Sequence, residues 1–281
     1  MLRILSFFVM SLCLVSAARA ADDAVLIIEQ DYNIVESGKG GVDAKDVRQK
    51  LFVHKDFVCI DEFGGKIPDQ PTETVLIDLK KKQIVDLDHE AKTKVTESFD
   101  ARRKRLNDKK RIKHEDLDAQ PEGPQKDKIA KLWRALLDDD RKYDLVQDPA
   151  DTKVVAGLTC QGLKIVSDDK NFTPAQFYLH PTIDMPYENA EVLYLLQIIG
   201  EKLAGFLKDH RDAVKKVPME LHLELAAGGH LDTKVVSVVE IEKSKLDAVA
   251  RPLGNPFEVP AGYAEKDPHK VAPENKTDKP N

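Results

Sequence analysis

The chain has 281 residues, 42% hydrophobic and 33% charged, enough apolar material for a sizeable core, so wholesale disorder is excluded. With 14 Gly, 15 Pro and 3 Cys it is neither collagen-like nor a disulfide-dense scaffold. A net charge of -6 argues against nucleic acid or an anionic membrane surface as the main partner, since both call for a basic face.

Residues 1–20 carry Arg3, an apolar run from Ile4 to Val15, and Ala18-Arg19-Ala20 ahead of Ala21. This is the pattern of a secretory signal peptide with a small-x-small cleavage site. The run is short for a bilayer span, and no later stretch offers about 18 apolar residues without charge. The expectation is an exported protein, periplasmic or extracellular, soluble after cleavage and without a transmembrane segment. Cleavage removes Arg3 and Arg19, so 43 basic residues become 41 against 49 acidic and the net charge becomes -8. It also removes Cys13, leaving Cys59 and Cys160. Two thiols in an oxidising compartment suggest one disulfide. Both lie in apolar, strand-like stretches, where buried free cysteines are also common.

In chain order, residues 24–36 read as a strand that ends at Ser37-Gly38-Lys39-Gly40-Gly41. Strands at 50–62, 73–79 and 84–88 follow as an antiparallel meander. From Val95 to Lys113 basic residues crowd together and predict a charged helix. A second helix carries Ile129, Leu132, Trp133, Leu136 and Leu137 at helical spacing. Strands resume at 142–147, 152–167 and 175–180. The longest helix is expected at 188–214, with Val192, Leu195, Ile199, Leu203 and Leu207 on one face. After Pro218, alternation of Met219, Leu221, Leu223 and Leu225 with polar residues predicts a half-buried strand, and 232–242 another. The segregation of helices from strands indicates an α+β fold. The expected form is a curved antiparallel sheet of about nine strands, an open half-barrel with a long helix over its concave face. The domain plan is a signal peptide at 1–20, one half-barrel domain at 21–263 with a charged helical insertion at 95–140, and a disordered tail at 264–281.

Three phrases carry a resemblance. Val75 to Lys94 (VLIDLKKKQIVDLDHEAKTK) resembles a hairpin of exported bacterial proteins with an aliphatic-Asp strand, a lysine turn and a "DHEKKTY"-like strand. Val155 to Cys160 (VAGLTC) looks like their "IAGYKC" strand, and Phe257 to Tyr263 (FEVPAGY) is similar to their closing "FEIPAGY". The group is of unknown function and is related in fold to the lipoprotein carriers and the outer-membrane lipoprotein receptor of the Lol system. The resemblance implies a half-barrel whose concave face, lidded by helices, holds an acyl chain or another apolar ligand. The chain departs from the pattern at Leu158 and Gln161-Gly162 and in the 95–140 insertion. The matching motifs are strands and turns, so no ligand residue carries over.

Chemistry-bearing patterns are sparse. Asp86, Asp88, Glu90 and Glu97 stand at positions 1, 3, 5 and 12 of a calcium loop, but Ala91 occupies the position that requires Gly. His89 and His114 each precede a Glu without a second His at zinc-helix spacing. No G-x-S-x-G elbow occurs, and Lys39 is not followed by Ser or Thr as a phosphate loop requires. Cys160 has no activating neighbour in sequence. The expectation is therefore a binding protein rather than an enzyme, with no catalytic residue, cofactor or metal. Its ligand would be an apolar small molecule or lipid, including a lipidated peptide. The alternative is an envelope interaction or scaffold module that uses the basic 95–140 arm and has no ligand cavity.

Overall fold

The computed structural model describes residues 23–38, 41–64, 69–132, 141–168, 173–224, 229–249 and 251–267. The signal segment, the apolar stripe at Trp133, Leu136 and Leu137, and the tail from 268 onward lie outside these residues. The first half is a meander of β1 (Ala24–Gly38), β2 (Gly41–His54), β3 (Phe57–Phe63), β4 (Glu73–Asp78), β5 (Gln83–Asp88) and β6 (Thr93–Ser98). Helices α1 (Phe99–Asp118) and α2 (Pro124–Leu132) follow. The second half contains β7 (Tyr143–Val146), β8 (Thr152–Val155), β9 (Leu158–Ser167) and β10 (Ala175–Asp184). Then come α3 (Asn189–Leu195), α4 (Glu201–Asp209), α5 (Arg211–Val214), β11 (Lys216–Glu224), β12 (Gly229–Glu242) and β13 (Ala264–Glu265).

One open sheet unites them in the order β13-β6-β5-β4-β3-β2-β1-β12-β11-β10-β9-β7, with β8 also on β9. Strand β12 returns to β1, from Ala24 opposite Glu242 to Glu36 opposite Gly229, and so joins the two meanders. Strand β13 lies parallel to β6. The α+β class and the open antiparallel sheet agree with expectation, but the described residues hold 13 strands in place of about nine. Two expected strands are hairpins, because their apolar runs continue through two-residue turns. The run 50–62 turns at Lys55-Asp56, and 152–167 turns at Ala156 (φ 48) and Gly157 (φ 79), a left-handed pair that suits a tight hairpin. Ala264-Glu265, placed in the disordered tail by composition, cap the β6 edge.

The helix expected at 188–214 is three shorter ones. Gln197 adopts φ 60, and the Ile198 N–H reaches back to the Leu193 carbonyl (2.9 Å). This is the left-handed helix stop usually made by glycine. Gly200 then starts α4.

The sheet is covered on both faces over part of its width. One cluster joins Leu163, Ile165, Phe177 and Leu223 to the undersides of α3 and α4. The other lies on the opposite face, where a strap of residues 243–249 and 251–263 brings Leu246, Val249, Phe257 and Tyr263 onto Val25, Phe52 and Leu76. Burial on both sides explains the unbroken apolar run Ala24 to Ile28 in β1, whereas β11, with one face in water, alternates strictly.

Gly162 is fixed by close approach. A Cβ there would stand 2.5 Å from Asp151 Cγ, and its N–H already donates to the Asp151 carbonyl (2.7 Å). Gly162→Ala is expected to cost about 1–3 kcal/mol in chemical unfolding, the usual cost of overpacking, by pushing the β7–β8 loop off β9.

Candidate ligand pocket and the polar networks around it

Helices α3 to α5 form a lid that leaves the sheet and returns within one hairpin. Asp184 of β10 pairs with Lys216 of β11, and the Met185 N–H donates to the Lys215 carbonyl (2.7 Å). The lid is thus a single excursion with its two ends side by side, and its movement breaks no strand pairing beyond this stem. Its underside is packed: Val192, Leu195, Ile199, Leu203 and Leu207 are all buried. At ~1.5–3 kcal/mol per side chain, exposing these five would cost on the order of 10 kcal/mol. That equals the whole stability of a typical domain, so the lid does not swing open into water unaided.

An opening lies within the lid itself, at the stem, with every lining residue between 185 and 215. A pocket of about 280 Å³ is lined by Met185, Tyr187, Ala190, Leu207 and Val214, with Arg211 and Lys215 among the charged residues at its rim. The volume is just under the usual range for a small-molecule site. Burial pushes the Tyr187 hydroxyl well above its ordinary range, so it stays a neutral O–H donor.

Four contacts tie α1 to the lid. Arg102 Nε donates to the Leu195 carbonyl (3.0 Å), Arg103 pairs with Glu191, Lys109 Nζ donates to Gln197 Oε1 (2.7 Å), and the Tyr194 hydroxyl donates to Asn107 Oδ1 (2.9 Å). The basic run is therefore not one solvated face. Arg102 and Arg105 turn inward onto Glu97, and Arg102 also binds Asp86. Burial works against the Glu97 charge, but the Arg105 and Arg102 guanidiniums outweigh it and hold the carboxyl below its usual range. Asp86 and Glu97 of the calcium-loop pattern are thus committed to arginines, and Asp88 accepts from the Ala91 N–H (2.8 Å). From Asn107 to Ala130, in contrast, no residue is buried.

Cys59 and Cys160 are both free and buried. They belong to the two different clusters, Cys59 under the strap and Cys160 under the lid, so of the two readings open in the sequence, bridge or buried free thiols, the structure has the second. Burial, then the Asp61 charge, pushes the Cys59 thiol well up, and burial raises Cys160. Neither is an activated nucleophile.

Beneath the strap lies a buried relay that the sequence does not announce. Arg251 grips Asp61 with two hydrogen bonds, Nε to Oδ2 and Nη2 to Oδ1, both 2.8 Å. Thr74 Oγ1 donates to the same carboxylate (2.6 Å). The Thr74 proton is thereby used, so His89 Nε2–H must donate to Thr74 Oγ1 (2.7 Å), and the Tyr263 hydroxyl donates to His89 Nδ1. Arg251 Nη1 also binds the Gly254 and Asn255 carbonyls, which fastens the strap's own loop.

On the strap side of the sheet, over β10 to β12, runs a polar groove of about 830 Å³ whose lining includes Lys153, Tyr178, Glu220, His222 and Asp232. Within it Lys153 pairs with Glu220 (2.5 Å), and His222 Nδ1 lies 2.7 Å from Asp232 Oδ1. Among the described residues no group of three or more His, Cys, Asp or Glu is placed to hold a metal ion, and no helix is long and apolar enough to cross a membrane.

No family model and no curated protein sequence matches the chain. Solved structures do. It is similar to an uncharacterised conserved protein from Thermus thermophilus, at 7% identity and TM-score 0.38, covering 88% of this chain and 93% of that one. It is also similar to the MucA/MucB complex structure of Pseudomonas aeruginosa, at 11% identity and TM-score 0.35, covering 86% of this chain and 58% of that one. A third is the LolA superfamily protein NE2245 from Nitrosomonas europaea, at 8% identity and TM-score 0.28, covering 77% of this chain and 86% of that one.

Of the residues that make up the pocket, sequence pattern finds Leu207, through the amphipathic stripe of α4. Met185 and Tyr187 escape it because they precede the helices, at the stem, and Val214 because it ends the four-residue α5, too short to show a periodicity.

Proposed function

We propose that the chain is a binding protein, not an enzyme, that takes the apolar tail of an amphiphile into a pocket at the stem of the α3–α5 lid. The observation that carries this reading is the apolar pocket at the lid stem, ringed by charged side chains where a polar head would sit. A short tail fits the pocket. A longer one would replace, contact for contact, the lid's own leucines, so that the large cost of exposing them to water is never incurred. The compartment would be the exported one to which the signal-like pattern of residues 1–20 points, and the ligand a lipid, a lipidated peptide or a similar amphiphile.

A fluorescent fatty acid tests the reading. Wild-type protein is expected to bind one equivalent, and Ala190→Leu, which narrows the pocket, to bind at least tenfold more weakly while folding normally. No uptake by the wild type, or equal uptake by the variant, would overturn it.

A second reading is favoured by the unburied stretch from Asn107 to Ala130: α1 and α2 would serve as an arm that docks an envelope partner while the sheet acts as scaffold. In that case removing the arm abolishes partner binding, and no fatty acid is bound at any stage.

A further inference from the structure

The lid departs from the sheet through an irregularity. Between Leu179, opposite Pro218, and Asp184, opposite Lys216, the β10–β11 ladder is interrupted, so residues 180–183 bulge out of register. Backbone groups in a bulge lose their cross-strand partners. Here two of them are recovered by one side chain: His180 Nδ1 accepts from the Thr182 N–H (3.1 Å) and from the Ile183 N–H (2.9 Å). A nitrogen that accepts twice carries no proton, so the imidazole is neutral with its hydrogen on Nε2. His180 is 6% exposed. The outer side of the same bulge is held by Lys216, whose Nζ donates to the Thr182 carbonyl (2.9 Å) and pairs with Asp184 (2.7 Å).

We propose that His180 is a pH-sensitive latch, whose neutral imidazole closes the lid stem and whose protonation releases it. Protonation at Nδ1 replaces the acceptor by a third N–H, which then faces two backbone N–H groups. Both bonds are lost together, and the bulge that aims the lid loses its inner support. Burial, and after it the positive charge of Lys216 on β11, hold the pKa of His180 below the ordinary 6.5, and Asp184 on β10 is occupied by that lysine. The closed stem therefore refuses a proton that a loosened stem accepts, so acidification below about pH 6.5 favours release. As the regulation of a lidded pocket this rests on the binding function proposed above. The latch itself is measured without any ligand.

The experiment is amide hydrogen exchange of the full chain at pH 7.5 and pH 5.0, corrected for intrinsic rates. Wild-type peptides covering 180–214 are expected to lose at least tenfold more protection on acidification than peptides from β1 to β3. His180→Asn places an amide oxygen near the position of Nδ1 and does not titrate, so the excess loss should vanish. His180→Leu has no acceptor, and its lid stem should exchange faster than that of the wild type at pH 7.5, with no further excess at pH 5.0. Equal loss in lid and sheet for the wild type, or an excess loss that persists in His180→Asn, would overturn the latch. If His180→Leu does not fold, the wild type and His180→Asn still decide. Failure to bind fatty acid would count against the pocket and leave these exchange results untouched.

Discussion

Arg251→Ala is expected to destabilise the protein by about 3–5 kcal/mol, the range for breaking a buried ion pair from one side. The Arg251 and Asp61 side chains are 3% and 1% exposed. Removal of the guanidinium strands a carboxylate in the interior with Thr74 as a remaining donor. The Gly254 and Asn255 carbonyls lose their donor at the same moment, so the strap is unfastened and Phe257 and Tyr263 lose their support on the sheet. Urea denaturation followed by circular dichroism measures the change. The double replacement Asp61→Leu with Arg251→Met, which removes both charges, should cost less than either single change. A loss under about 1 kcal/mol for Arg251→Ala would mean that the strap is held by its apolar contacts alone, against the usual cost of an orphaned buried charge.

Stability should also fall between pH 7.5 and 5, well before the carboxylates titrate. His54, His89 and His180 are all buried, and in each the pKa is lowered, first by burial. Each uses Nδ1 as an acceptor: from the Asp56 N–H in His54, from the Tyr263 hydroxyl in His89, and from two N–H groups in His180. The direction follows from the lowered values. Above 6.5 both folded and unfolded chains are neutral at these sites and the stabilisation is complete. As the pH falls below 6.5 the unfolded chain takes up protons that the folded chain refuses, and stability declines until the folded values are reached. Each histidine contributes a slope of at most about 1.4 kcal/mol per pH unit, and three together at most about 4. Glu97, Asp56 and Glu265 are shifted down, so their share is lost later, as the pH falls below about 4.5. Urea midpoints measured at intervals from pH 7.5 to 3.5 should show two stages of loss, and a flat profile down to pH 5 would contradict the neutral-histidine assignments.

Much of the architecture is legible in local pattern, because burial on one face or two leaves a periodicity. The alternation of Met219 to Leu223 marks a strand with one wet face, the unbroken Ala24 to Ile28 one with none, and the stripe through Leu203 and Leu207 a covering helix. Long-range pairing leaves no such trace. Asp61 and Arg251 are 190 residues apart, and each alone reads as an ordinary surface charge. Arg102 and Arg105 look like members of a solvated basic run until the fold brings Glu97 beneath them. Gln197 ends a helix in a conformation usually marked by glycine, so the break is invisible in composition. His180 acquires its role from a bulge, which is a property of two strands in register and not of either sequence.

The most direct test of the binding function is photochemical cross-linking with a diazirine fatty acid, followed by mapping of the labelled peptide. Label concentrated in peptides carrying Met185 to Ala190 and Leu207 to Lys215, competed away by unlabelled fatty acid and lost in Ala190→Leu, is the expected result. Label on the 107–130 arm, label that excess fatty acid does not displace, or no label at all would contradict a site at the lid stem.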